Sequence, residues 1–472
     1  MVNFIVRGAG RRSLVWGAAA ASTLLAAAVT LITLTGTAGA GKHRITAAEQ
    51  FLKATYVPIK LRAPGDAPEV RFDISCLPPD GNADGSGGCD GGGTVYFSSA
   101  NASAGVALRL DRGTQVGRYV AAVPSRIWNA PWFSYYAVIG DNTTGQTITV
   151  PSGGAGAPQL SFAMSGATIA LGAHRFGATR PPTGRVASAT WGGGDGQVGL
   201  ENGVDEPVGG SSFDVDSAGT VYLLDEANGR MLHFQGRKIP EQVSLPALAR
   251  VRSDLRVSDT SGRAYVLEVP NVKQAHPLLR AYTLQGSAVG SSPIADAAAA
   301  QIDLSPTGTA FVSEYPSSMW APVLQGNGRS AVQAVTQLAR ALPGAPAESG
   351  DVIVLAEGNE VRVGTYVSTG TGYKASTVRI TSDTPVADVQ LAQRLPSGRL
   401  LVVFSVYTDT AHEYEAVVVD AAGSLVQQFS LPAADWAQSM PLSRFRLVGS
   451  SLYELGSTAS GVFVDRYDLG VS

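Results

Sequence analysis

The chain has 472 residues, of which 15% are charged, with 55 glycines, 26 prolines and a formal net charge of −3. That length allows two or three domains, and mild acidity without a Lys/Arg-rich run excludes the electrostatic footprint of a nucleic-acid binder. Gly and Pro at this level, between many short Val/Tyr/Leu runs, predict an all-β chain rich in turns.

The first forty residues read as a targeting segment. Arg7, Arg11 and Arg12 precede an uncharged run from Ser13 to Thr35, and Ala38-Gly39-Ala40 supplies a small-residue cleavage pattern. The run is 23 residues, long enough to span a bilayer, so a cleaved signal peptide and an uncleaved anchor both fit. Either leaves the arginines on the cytoplasmic side and the bulk outside, secreted or membrane-anchored. Six lysines against 29 arginines, with abundant Ala and Gly, suit a GC-rich bacterial gene. Residues 41–65, including Lys42 to Lys60, are expected to be a linker or stalk.

Residues 66–158 predict a separate β-sandwich. Glu69–Ile74 alternates, and Thr94–Phe97, Ala107–Leu110, Gly117–Ala122, Phe133–Val138 and Thr147–Val150 follow at roughly ten-residue spacing. Within the module lie the only cysteines, Cys76 and Cys89. Two cysteines around a glycine-rich loop in an exported chain predict a disulfide, worth about 3 kcal/mol for a loop of this size. The loop carries Asp80, Asn82 and Asp84 in a D-x-N-x-D-G pattern, the first half of a calcium loop. Position twelve is Gly91, where a bidentate Glu is required. The same residues also suit an ordinary polar turn, so Ca2+ is a candidate ligand and no cofactor is required. The run Gly117-Arg-Tyr-Val-Ala-Ala-Val-Pro124, then Ser134-Tyr-Tyr-Ala-Val138 and Thr149-Val-Pro151, resembles the immunoglobulin-like accessory modules of secreted bacterial proteins. Such modules space or bind. The flexible stretch Ser152–Pro158 is expected to end the module.

Residues 159–472 carry a repeat. Its best copy is Phe213-Asp-Val-Asp216, a turn at Gly219, Val221-Tyr-Leu-Leu-Asp225, a turn at Asn228-Gly229, and Met231–Phe234. One such hairpin-rich unit cannot bury its own faces and predicts more of itself. Further copies turn at Gly262, Gly308 and Gly398, spaced 43, 46 and 90 from one to the next, the last twice 45. A period near 45 predicts a six-bladed β-propeller, its ring closed by a strand from 159–190 joining the final blade.

Trp191-Gly, Gly196-Gln197, Pro207, Phe213-Asp-Val-Asp216, Gly219-Thr-Val-Tyr-Leu-Leu-Asp225, Asn228-Gly-Arg230 and Phe234 resemble one NHL repeat. The later copies keep the Gly-x-x-Tyr/Phe-Val core and lose the Asp…Asn-x-Arg. The resemblance implies a six-bladed ring used mostly for binding. Asp225, Asn228 and Arg230 then read as repeat architecture: a turn acceptor, a left-handed turn position and a pairing cation.

Catalytic motifs are lacking. The five histidines are scattered without ligand spacing, and there is neither a G-x-S-x-G elbow nor a phosphate loop. His233, inside a strand, reads as a satisfied core residue. A metal-dependent hydrolase or lyase of the lactonase kind would draw its acids from Asp214, Asp216, Asp225, Glu268, Asp303, Glu314 and Asp388, with Glu268, Glu314 and Asp303 the catalytic candidates; three clustered at one channel mouth would identify it. Cell-wall glycan binding would instead use aromatics: Tyr315, Trp320 and Tyr407 in the repeats, Trp128 and Trp132 in the sandwich. The favoured reading is an extracytoplasmic binding or scaffold protein with protein or glycan partners.

Overall fold

A computed structural model describes residues 52–470 apart from 76–90, 143–144, 152, 203–206, 237–238, 247, 249–251, 270–276, 295–298, 315–318, 328–350 and 438–442. The targeting segment, Cys76, Cys89, Asp80, Asn82, Asp84 and Tyr315 therefore lie outside the described residues. Among those described, no helix is long and apolar enough to cross a membrane.

The N-terminal sandwich uses β1 (Lys53–Tyr56), β2 (Leu61–Arg62), β3 (Glu69–Ser75), β4 (Gly91–Ser99), β5 (Ala102–Arg109), β6 (Asp111–Arg112), β7 (Arg118–Ala122), β8 (Trp132–Asp141), β9 (Thr147–Val150) and β10 (Gln159–Ala163). One sheet runs β1-β3-β7-β6; the other runs β2-β10-β8-β4-β5, with β9 also on β8. Alternation decides the inner faces. Val70, Phe72 and Ile74 of β3 meet Val95 and Phe97 of β4 in one buried cluster with Phe133 and Tyr135.

The sandwich extends past both ends expected of it. β1 and β2 lie in the segment expected as a stalk, and β10 follows the glycine-rich stretch expected to end the module. β10 is held antiparallel by β8 and parallel by β2, with Phe162 opposite Leu61. Nearly all of β10 is buried, because its other neighbour is the propeller. A short apolar run does not reveal which sheet will accept it.

The propeller follows as β11 (Thr168–Ala170), β12 (Gly184–Thr190), β13 (Glu201–Asn202), β14 (Pro207–Val208), β15 (Phe213–Val215), β16 (Val221–Asp225), β17 (Arg230–Phe234), β18 (Glu241–Ser244), β19 (Arg252–Ser258), β20 (Arg263–Val269), β21 (Leu278–Thr283), β22 (Ala288–Pro293), β23 (Ala299–Leu304), β24 (Ala310–Glu314), β25 (Met319–Leu324), β26 (Val352–Glu357), β27 (Glu360–Thr369), β28 (Gly372–Thr381), β29 (Val386–Arg394), β30 (Leu400–Tyr407), β31 (His412–Val419), β32 (Leu425–Pro432), β33 (Phe445–Val448), β34 (Ser451–Thr458) and β35 (Gly461–Asp468). Apart from the small β13-β14 pair, the described strands fall into six sheets: β15–β18, β19–β22, β23–β25, β26–β28 with β11, β29–β32, and β33–β35 with β12. These are numbered blades one to six. First strands lie side by side, β15 against β19 and β33, β19 against β23, and β29 against β26 and β33. The chain is an all-β propeller preceded by a sandwich.

Each blade turns from first to second strand through a glycine at positive φ: Gly219, Gly262, Gly308, Gly358, Gly398 and Gly449. Their spacings are 43, 46, 50, 40 and 51 residues, so Gly358 divides the double interval. The apolar runs follow from the ring. In β16, Val221 and Leu223 point into the cluster shared with blade six, while Tyr222 and Leu224 point into the cluster shared with blade two. A strand sandwiched between two blades buries both faces, and each such side chain contributes about 1.5–3 kcal/mol. The other clusters join blades two and three, four and five, and five and six.

Two early strands complete late blades. β12 pairs antiparallel with β35, Ser188 opposite Phe463, and β11 pairs parallel with β28. The residues between them form a strap over blade five. His174 meets Glu413 and Glu415, the Arg180 amide donates to Ser430 O at 2.8 Å, and the Arg180 guanidinium lies 4.7 Å over Phe429. Sandwich and propeller meet at blade four. There Leu61, Phe162, Trp132, Tyr366 and Tyr373 pack around Ile353, and Arg362 donates to Asp66 at 2.9 Å and to Leu61 O at 3.0 Å.

Candidate functional site

The first strands carry an apolar–polar–apolar triplet at equivalent places: Phe213-Asp214-Val215, Leu255-Arg256-Val257, Ile302-Asp303-Leu304 and Phe445-Arg446-Leu447. The flanking apolar residues enter clusters between blades, so the central residue lies on the opposite face of its strand. Those central residues find each other. Arg256 donates to Asp214 at 2.9 Å and to Asp303 at 2.7 Å. Arg446 lies 3.3 Å from Asp214 and 3.3 Å from Asp254. Asp254, fully buried, also accepts from Ser212 Oγ at 2.7 Å, Ile302 N at 3.1 Å and Ser443 Oγ at 3.3 Å. Val257 N donates to Asp214 at 2.6 Å.

Three carboxylates thus surround two guanidinium groups in a desolvated place. Burial alone would lower the Arg256 pKa, but the charges of Asp214, Asp303 and Asp254 outweigh it and hold the pKa above its ordinary value. Burial, then the nearby Arg256 charge, lower that of Arg446. Chemically the cluster binds blades one, two, three and six together. Removing one member of such a network leaves an uncompensated buried charge.

The other acid candidates are dispersed. Glu268 accepts from Arg280 at 2.9 Å inside blade two. Asp216 takes the Thr220 amide at 2.8 Å and the Tyr222 hydroxyl at 3.0 Å, fixing its turn. Asp388 accepts from Ser405 Oγ and Gln390. Glu314 closes β24, and its side chain is outside those described. Of the candidate acids whose side chains are described, Asp214 and Asp303 are brought together, and arginine stands between them. No group of three or more His, Cys, Asp or Glu among the described residues has metal-holding geometry.

Asp225, Asn228 and Arg230 form one unit. Asp225 Oδ2 accepts from Arg230 Nε and from Asn228 Nδ2, both at 2.8 Å, and Oδ1 accepts the Gly199 amide at 2.9 Å. Arg230 also donates to Gly194 O at 3.0 Å and Gln197 O at 2.8 Å. The unit fastens the glycine-rich loop after Trp191 onto blade one. Beside it opens a cavity of about 460 Å³ lined by Trp191, Gly192, Gly193, Gly199, Leu200, Glu201, Ala227 and Asn228. Gly209 is required here, because a Cβ would stand 2.5 Å from the Trp191 ring.

Strand direction alternates within each blade, so the second-to-third-strand turns and the blade-to-blade links share one face. The cavity opens there, between the link into blade one and its Ala227-Asn228 turn. Tyr407 ends β30 and Trp320 lies in β25, both beside second-to-third connections and both partly exposed. The sandwich tryptophans lie elsewhere. Trp128 packs on Phe133 and beneath Arg62, and Trp132 meets Tyr373 edge-on at 5.1 Å in the domain contact. His233 packs edge-on against Tyr222, and its Nε2 is buried without a hydrogen-bond partner among the described residues.

Sequence reasoning passed over Arg256, Asp254, Arg446 and Trp436. The signal for the arginines was the shared triplet position. Trp436, 44% exposed, offered none until its distance to Trp191 was known. Two buried acids were also missed. Burial raises Glu226, bonded by Ser211, and Glu454, bonded by Tyr467, to about 8.

No family model and no curated sequence matches the chain. Solved structures that align with it include a virginiamycin B lyase from Staphylococcus aureus, with 10% identity over 55% of this chain and 95% of that one at a TM-score of 0.33. The periplasmic gluconolactonase of Pseudomonas aeruginosa aligns with 13% identity over 81% and 97%, TM-score 0.27. A protein of unknown function from Bacteroides caccae aligns with 13% identity over 47% and 81%, TM-score 0.31. At such scores they carry no argument about this chain, whose propeller is read from its own sheets.

Proposed function

We propose that this chain is an extracytoplasmic binding or scaffold protein: an immunoglobulin-like sandwich followed by a six-bladed, NHL-like propeller. Export rests on the Arg7, Arg11, Arg12 and Ser13–Thr35 segment, which leaves the bulk secreted or membrane-tethered. Its partners are a protein or a cell-envelope glycan, and its charge disfavours nucleic acid.

One observation carries the preference for binding over catalysis. The inner-strand acids Asp214, Asp254 and Asp303 are committed to Arg256, Arg446 and strand amides. Carboxylates committed in this way serve as cross-links between blades. A hydrolase or lyase would need them turned toward a substrate or ion. Elemental analysis of the purified protein tests this. A stoichiometric ion, lost in Asp303→Asn or Glu314→Gln, would overturn the scaffold reading in favour of a metal-dependent hydrolase. A separate calcium titration tests Asp80, Asn82 and Asp84, where bound Ca2+ would serve the loop without making the chain an enzyme.

A further inference from the structure

The cavity beside Trp191 is built largely of repeat residues, and Trp436 is added to it from outside the repeat pattern. Trp191 donates its indole N–H to Thr458 O at 2.9 Å, so it offers the cavity a ring face and no donor. Trp436 stands 6.2 Å from it with the two rings tilted by 31°, and is 44% exposed. Trp436 belongs to the link between blades five and six, Trp191 to the link between six and one. Both links are on the face where the cavity opens. Gly192 and Gly199 are required by packing within the chain, since a Cβ would stand 2.4 Å from Gln197 Oε1 at the first and 2.4 Å from Ala227 Cβ at the second, and with Gly193 they leave this part of the lining as backbone. Asn228 has committed its Nδ2 to Gly192 O at 3.2 Å and to Asp225 at 2.8 Å. What it has left to offer is its amide oxygen, an acceptor for a hydroxyl.

We propose that Trp191, Trp436, Asn228 and the glycine lining form a binding site for a neutral saccharide, with a pyranose ring laid across the indoles. This rests on the binding reading above and specifies its ligand class. The chemistry favours sugar for three reasons. Broad indole faces accept the apolar C–H face of a pyranose, and its hydroxyls need the backbone and amide acceptors that the lining supplies. The volume lies in the range of about 300–1,000 Å³ typical of small-ligand sites. Among the described lining residues the only charged one is Glu201, which repels phosphates and uronates.

The test is titration of the full chain with cellotetraose, chitotetraose and maltotetraose, read by calorimetry and tryptophan fluorescence, with tetragalacturonate as the anionic comparator. Saturable binding of at least one neutral tetrasaccharide is expected. It should weaken about tenfold or more in Trp436→Ala, the effect of losing one stacked face, while the melting temperature holds because Trp436 is exposed. Trp191→Phe should weaken binding less, and Trp320→Ala should leave it unchanged. Tetragalacturonate should bind at least tenfold more weakly. Absence of binding by all three neutral sugars, equal binding by Trp436→Ala, or a preference for the uronate would each overturn the proposal. None of these outcomes bears on the elemental analysis, which judges the scaffold reading separately.

Discussion

Arg446 on the first strand of blade six reaches Asp254 on the first strand of blade two, 192 residues earlier, at 3.3 Å. The same guanidinium donates to Leu255 O at 2.9 Å and Phe213 O at 3.1 Å. One side chain therefore ties the last blade to the first two.

Arg446→Met should cost about 3–5 kcal/mol in chemical denaturation, because Asp254 and Asp214 stay buried with one cation fewer. Arg446→Met combined with Asp254→Asn should recover part of that loss. A double variant no more stable than the single would mean that charge balance is not what Arg446 supplies.

His174 holds the strap to blade five and should make it sensitive to pH. Its Nδ1 is 2.5 Å from Glu415 and its Nε2 is 2.8 Å from Glu413, with the side chain 2% exposed. Phe176 lies against the ring, and Ser430 bonds Glu415. Both ring nitrogens face carboxylates, an arrangement in which the protonated ring donates to both. Burial would lower its pKa, but the bonds and charges of Glu415 and Glu413 prevail and raise it above the ordinary 6.5. A raised folded value stabilises fully below the unfolded value and fades as pH climbs through the folded one. The native chain should exceed His174→Gln by roughly 3 kcal/mol near pH 6 and by clearly less near pH 9. A gap unchanged between those pH values would sink this account.

Glu226 and Glu454 work on a neighbouring window. Burial raises each to about 8 from 4.5, so the folded state holds protons that the unfolded state has released. Stability should fall as pH rises from 4.5 toward 8. Glu226→Gln and Glu454→Gln keep the shape and remove the titration. Melting curves from pH 5 to 9 should show the variants gaining on the native chain by a few kcal/mol toward the alkaline end. Parallel curves would refute it.

Trp132→Ala should open the contact between the sandwich and blade four. The ring meets Tyr373 and lies where a Cβ on Gly372 would stand, 2.6 Å away. A loss of about 3 kcal/mol, with a separate sandwich transition in calorimetry, is expected. A single transition at an unchanged temperature would show the contact to be dispensable.

What was legible in the chain followed from local chemistry. The turn glycines at 219, 262, 308 and 398 revealed the period because only a left-handed turn residue joins first to second strands there. Gly358 escaped notice because the apolar strands beside it vary more than the backbone they encode. The partners of Asp214 and Asp303 were not legible: Arg256 and Arg446 stand 42 and 232 residues from Asp214 in sequence, and only ring closure brings them near. Nor was the fate of Gln159–Ala163, since its pattern is the same for a sandwich strand and a blade strand. Trp436 was invisible for a like reason, its neighbour Trp191 being 245 residues earlier.

The crossing of residues 168–190 over blades four to six sets an order of assembly. Thr168–Ala170 must wait for Arg379–Thr381, and Gly184–Thr190 for Gly461–Arg466. These are pairings of high sequence separation, slow to form and late to be rewarded. During synthesis the early strands leave the ribosome with no partner, and an interrupted chain carries open edges where β11 and β12 should dock. The finished ring is clasped at its last blade, so an end tethered ahead of residue 168 would transmit tension first to the sandwich and blade four, leaving the β12–β35 clasp in their shelter.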